Sequence, residues 1–167
     1  MCVRTQPSAN LTAMASTKKK AAAEAWGSLL QVHAALVPEL DRRLRVSTGL
    51  PLAWYDVLLE LSAARNGRLT MTQLGERAVL SRSRVSRVVD ELLRADLVRR
   101  EANAEDARSA FAVITPAGLA RFREAAPVYL GGIEEEFAGD LTVAELTALT
   151  SALRRVLGRL DRARRHQ

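Results

Sequence analysis

The chain has 167 residues and a mass of 18.3 kDa, which suits one domain with or without a helical extension. Its 48% hydrophobic and 26% charged content is that of a soluble globule, and no apolar run approaches the ~18 residues that a membrane span needs. Its 25 basic residues exceed the acids by six, and 22 of them are Arg, a bias that suits a nucleic-acid partner and that a GC-rich genome also produces.

Residues 1–10 lack the apolar core of a leader, and residues 1–17 are rich in small polar residues, closing on Lys18-Lys19-Lys20 to make a segment of 1–20. They read as a disordered basic tail on a cytoplasmic protein with no membrane partner. From Ala21 an apolar stripe runs through Trp26, Leu29, Leu30, His33, Leu36, Val37, Leu40 and Leu44 at helical steps. Pro38 has no N–H to donate, so it is expected to kink or restart this first helix. Gly49 and Pro51 mark a turn, and a second helix follows through Trp54, Val57, Leu58 and Leu61 to about Ala64. Asn66-Gly67 is a turn signal. Thr70 and Gln73 have capping-box spacing, so a short third helix is expected from Met71 to near Ala78.

Ser81 is a good N-cap for a fourth helix. Its apolar positions are Val85, Val88, Val89, Leu92 and Leu93, the cleanest amphipathic signal in the chain. Beyond Leu97 the period changes to two short strands, Val98–Glu101 and Ser109–Ile114, around a polar loop. Thr115-Pro116 opens another helix, which Pro127 and Gly131-Gly132 should bend and Gly139 should end. Thr142 and Glu145 form a second capping box. The last helix then carries Leu146, Leu149, Leu153, Val156 and Leu160 in a heptad-like seam. That seam needs a partner, either the first helix of the same chain or a second subunit.

Helix, short helix, helix and two-stranded loop make a winged helix-turn-helix, so the fold class is mainly α with a small β-wing. On a helical wheel Ser83, Arg84 and Arg87 point away from the valine face, and Ser86 sits at its border. Arg82 lies nearer the buried side, in the first turn, where it can reach phosphate. Asp90 and Glu91 come only in later turns. This fits a helix whose N-terminal end enters a major groove, with its free N–H groups favouring phosphate. A basic helix face by itself is as often merely solvated.

The wing loop reads Asp106-Ala107-Arg108-Ser109, followed by Val113 and then Thr115-x-x-Gly118. With Ser81-Arg82-Ser83-Arg84-Val85-Ser86-Arg87 before it, the sequence resembles the MarR family of bacterial transcription regulators over roughly residues 22–160. The resemblance implies N- and C-terminal helices, 21–47 and 116–162, that interlock in a homodimer. It implies a winged helix-turn-helix DNA-binding domain over 48–115 and a palindromic double-stranded DNA operator. Recognition helix 81–95 would lie in the major groove and wing 98–114 in the minor groove. Arg108 would be the wing-tip residue in the minor groove and Asp106 its orienter. The expected DNA-binding set is Arg82, Ser83, Arg84, Ser86, Arg87, Asp106, Arg108 and Thr70.

Many members of this family respond to small anionic aromatic molecules, so the resemblance makes a small-molecule effector a candidate partner. Its candidate lining is Trp26, His33, Trp54, Tyr55 and Asp56, with Arg87 beside them. Trp26 and Trp54 also suit a core or interface, His33 a buried histidine, and Asp56 a pairing with a nearby Arg. The tryptophans with Tyr55 and Asp56 look like the urate-responsive branch. That branch has an Arg in the recognition helix where Val88 stands here, so no urate site is assigned. Cys2 lies in the expected tail and suits no positioned thiolate sensor. His33 and His166 are the only histidines and lie far apart, so no metal and no cofactor are expected. No phosphate loop, nucleophile elbow or HExxH motif is present, so an enzyme is not expected.

Overall fold

The computed structural model describes residues 8–78, 80–103, 106 and 109–165. In chain order these form α1 (Ser8–Thr48), α2 (Leu52–Ala63), β1 (Arg68–Thr70), α3 (Met71–Arg77), α4 (Arg82–Arg94), β2 (Val98–Ala102), β3 (Ala110–Ile114), α5 (Pro116–Ile133) and α6 (Val143–Arg165). A 3-10 turn, Arg65–Gly67, precedes β1, and a π-helical turn, Glu134–Ala138, follows α5. The chain is mostly helical with a small antiparallel sheet, as the patterning predicts. Among the described residues no helix is long and apolar enough to cross a membrane.

Two expectations change in α1. The helix starts at Ser8, inside the segment read as a disordered tail, whose residues 1–7 lie outside the described residues. Ala and Lys are strong helix formers, so this stretch is helical without an amphipathic stripe to announce it. The helix also runs on through Pro38 rather than restarting after it. At α1's other end Gly49 takes φ +70°, and its N–H closes the last turn on Arg45 O at 2.9 Å. That left-handed closure is what glycine permits at low cost.

The chain divides into two units, one up to Glu39 and one from Leu40 onward. In the first unit Trp26, Leu29, Leu30, Val32 and Val37 are exposed. His33 is exposed as well in the single chain. The second unit holds the described core. Leu44, Leu58, Leu61, Leu74, Val89 and Leu92 are fully buried there, drawn from α1, α2, α3 and α4. Among the described residues no buried polar residue interrupts this core.

α2 takes its N-terminal cap from a distance. Pro51 offers no side-chain acceptor, and Asp41 Oδ1 accepts from Leu52 N at 2.8 Å instead. Burial disfavours the Asp41 carboxylate, but hydrogen bonds from Arg45 and Leu52 outweigh it and hold the group below its usual range. The sheet order is β1-β3-β2, antiparallel throughout. Leu69 pairs with Ala112, and Arg100 pairs with the same Ala112 from the other side. β1 is absent from the sequence reading because it has three residues and one apolar side chain, Leu69. Only its pairing with β3 makes it a strand.

Candidate nucleic-acid interface

Local chemistry places the helix-turn-helix. Thr70 ends β1 and caps α3: its hydroxyl accepts from Gln73 N at 3.2 Å, and Gln73 Oε1 accepts from Thr70 N at 3.0 Å. Ser81 starts α4, its hydroxyl accepting from Arg84 N at 3.4 Å. No acid lies in the first turn of α4. Val85, Val88, Val89 and Leu92 are buried, while Ser83, Arg84, Ser86 and Arg87 are exposed. Arg82 begins the helix, and its side chain lies outside the described residues. No ion pair engages Arg84 or Arg87 among the described residues. Their guanidiniums are therefore open to phosphate oxygens or base edges.

The acids one turn later anchor the helix on two sides. Asp90 Oδ1 accepts from Arg100 Nη2 of β2 at 2.7 Å, and Glu91 Oε2 accepts from Trp54 Nε1 of α2 at 2.8 Å. At its end, α4 turns through Asp96 at φ 57°, with Leu97 N donating back to Leu92 O at 3.0 Å. This is the helix closure usually given to glycine. Beneath the wing, Glu101 holds Arg99 and also Arg68 at 3.5 Å, and Arg68 lies 4.6 Å over the Phe111 ring. The loop is cross-tied: Asn103 Nδ2 donates to Ser109 Oγ at 2.8 Å, and Ser109 N donates to Asp106 O at 3.0 Å. Asp106 is exposed within that turn, and Arg108 lies outside the described residues.

The candidate ligand residues fall in both units. Trp26 and His33 belong to the first unit; Trp54, Tyr55 and Asp56 belong to the second. Tyr55 is buried, its ring centroid 5.3 Å from Phe122 and 4.6 Å from Tyr129, so it is core. Trp54 turns instead to a cavity of about 630 Å³ whose lining includes Arg45, Ser83, Arg84, Arg87 and Glu91. Asp56 is half-buried and makes no ion pair within 4 Å among the described residues, though Arg84 is near enough to act on it. Burial, then the neighbouring Glu60, pushes its carboxyl up to about 6, with Arg84 pulling the other way.

The MarR family sequence model matches residues 48–109. Sco3205, a MarR family transcriptional regulator from Streptomyces coelicolor solved in complex with DNA, is 32% identical, with 80% of this chain and 84% of that one covered and a TM-score of 0.74. The chain belongs to the MarR family. AbsC, a MarR family transcriptional regulator from the same organism, is 33% identical over 82% of this chain and 92% of its own, also with a TM-score of 0.74. BpsR from Bordetella bronchiseptica, whose DNA binding is regulated by 6-hydroxynicotinic acid, shares the fold at 22% identity, 80% and 98% coverage and a TM-score of 0.70. No curated protein matches the chain. As a MarR-family protein it is a DNA-binding winged-helix transcription regulator, with α3 and α4 as its helix-turn-helix and β2 and β3 as its wing.

Within this MarR-family domain several structural partners carry no local sequence signal. Arg100, Glu91 and Asp41 act on residues 10, 37 and 11 positions away. Asp56 has a measurable consequence. The folded chain holds its proton more tightly than the unfolded chain does, because the carboxyl sits near 6 against an ordinary 3.8. Asp56 therefore costs stability above about pH 6, and the cost fades as pH falls from there towards 3.8. Asp56→Asn is expected to stabilise the fold by ~1 kcal/mol near neutral pH, a figure reduced for partial solvent screening. The gain should vanish at about pH 4. Urea unfolding at both pH values checks this, and an equal gain at both would contradict it.

Proposed function

We propose that this regulator binds an inverted-repeat operator as a homodimer and represses transcription there. Each recognition helix, 81–95, enters the major groove, and each wing, 98–114, enters the minor groove. The observation that carries this reading is the exposed Ser83-Arg84-Ser86-Arg87 face of α4, backed by a buried valine face and free of first-turn acids. Thr70, at the start of α3, is assigned to phosphate. Arg108 is assigned to the minor groove, whose concentrated negative potential attracts an inserted Arg, and Asp106 to the wing turn beside it. Residues 21–47 and 116–162 are assigned to the dimer, which would place half-sites one helical turn, ~34–36 Å, apart.

Selection of bound sequences from random duplex DNA tests the proposal. It should return a two-fold symmetric site, bound ~10³–10⁷-fold more tightly than random DNA at fixed salt. Recovery of no preferred sequence would leave only charge-driven binding. Arg84→Ala and Arg87→Ala should each cost ~1–3 kcal/mol of operator binding where the side chain reads a base. Titration against a panel of operator variants separates the roles. A base contact relaxes specificity at one position, and a phosphate contact weakens all sequences alike.

An effector reading is favoured by the Trp54 cavity, where one aromatic ring and three arginines meet. A small aromatic anion seated there would engage Arg84 and Arg87 and so release the operator. Titration of the protein–operator complex with aromatic carboxylates tests this. Undiminished DNA binding at saturating, calorimetrically verified ligand would reject it.

A further inference from the structure

Arg87 and Glu91 stand four residues apart on α4. On a helix this spacing makes the side chains neighbours, and opposite charges there ordinarily pair. Here they do not. Among the described residues Arg87 has no ion-pair partner, while Glu91 Oε2 accepts the indole N–H of Trp54 at 2.8 Å. The three side chains line one cavity together with Arg45 and Arg84. Among the described residues Glu91 is the one carboxylate on that lining, so it is the anion placed to neutralise the recognition arginines from their own helix.

We propose that Trp54 is a positioning residue for DNA binding, whose indole N–H holds Glu91 away from Arg87 and so keeps that guanidinium free for the operator. The inference rests on the reading of Arg87 as a DNA contact. Its physics is a competition for one carboxylate. An exposed helix ion pair at this spacing is weak and screened by salt. A partly buried indole N–H bonded to a charged oxygen is shorter-ranged, less screened and charge-assisted. Trp54 and Glu91 are both half-buried, so the indole takes the carboxylate. Without that bond Glu91 would pair with Arg87 and set a negative charge nearer the phosphates, and both effects oppose DNA.

Trp54→Phe keeps an aromatic ring and deletes the N–H. It should weaken operator binding ~2–5-fold at fixed salt, the scale of an exposed helix ion pair. Glu91→Gln is then compared in both backgrounds. The gain from removing the charge should be ~2–5-fold larger in the Trp54→Phe background than beside the native Trp54, a coupling that a merely structural Trp would not produce. Equal gains would overturn the inference, since they would report only general charge. In an Arg87→Ala background Trp54→Phe should have no further effect. If Arg87→Ala alone leaves binding unchanged, the DNA-contact reading has failed, not the Trp54–Glu91 hold on the carboxylate. Should Trp54→Phe fail to fold, Glu91→Asp replaces it, because it withdraws the carboxylate from the indole but keeps the charge. Binding weaker than wild type supports the inference, and wild-type binding overturns it.

Discussion

Replacing Leu149 and Leu153 together by Glu is expected to convert the protein to monomers and to weaken operator binding ~10²–10⁴-fold, the avidity lost when two half-sites bind independently. The basis is the surface of α6. Leu149, Val156 and Leu160 on the heptad-like seam, with Leu157 beside them, are between 37% and 59% exposed. In the first unit Trp26 and Leu30 are likewise 60% and 48% exposed. Isolated exposed leucines are ordinary, but a helical series of them marks an interaction surface. Each leucine buried in an interface contributes ~1.5–3 kcal/mol. In a two-fold interface each substitution acts twice. Leu149 is only 37% exposed and Leu153 less so, so about a third of that burial remains to be made, and the lost packing runs to roughly 2–4 kcal/mol, to which the desolvation and repulsion of four carboxylates add. Light scattering should report the mass of one chain, with the α-helical circular dichroism of the wild type. A folded, operator-binding dimer from the double variant would refute the seam as the interface.

The sequence and the fold agree where local chemistry decides. The α4 stripe, the Thr70–Gln73 box, the Ser81 cap and the Thr115-Pro116 start each need only residues within one or two turns, and all four are present. The disagreements have long-range causes. β1 becomes a strand only because Arg68, Leu69 and Thr70 pair with residues more than 40 positions later. Tyr55 stands among the ligand candidates in sequence, but the aromatic cluster with Phe122 and Tyr129 claims it for the core. Trp54, one residue earlier, points the other way and meets Glu91. Helical periodicity separates those two faces but cannot say what lies beyond each. The arginines are legible as a basic face. That Glu91 is drawn away from them is not, because the indole that draws it comes from another helix.

Gly118→Ala is expected to destabilise the fold by ~3 kcal/mol or more, the upper range for forced overpacking, and to weaken operator binding as well. A Cβ on Gly118 would lie 2.1 Å from Leu97 O and 3.0 Å from Leu97 C, with Ile114 Cγ1 at 3.1 Å. Both atoms of Leu97 are backbone, so no flexible side chain can yield. That carbonyl also accepts from Thr115 N at 3.1 Å, and Thr115 Oγ1 both donates to Asp96 O at 2.8 Å and accepts from Gly118 N at 3.0 Å. The Thr-x-x-Gly motif is thus a stitch between the end of α4 and the start of α5. Backing α5 away would strain three hydrogen bonds at once. The next residue, Val98, begins β2, so the displacement enters the base of the wing. Gly49→Ala provides the contrast. Its Cβ meets only Arg121 Nη2 at 3.8 Å, and its cost is confined to the φ of +70°. That cost should be ~1–2 kcal/mol with little effect on the wing. Urea unfolding and operator titration of the two variants separate steric from conformational cost. Equal stability losses would mean that α5 tolerates the shift, and the motif would then need another explanation than close approach.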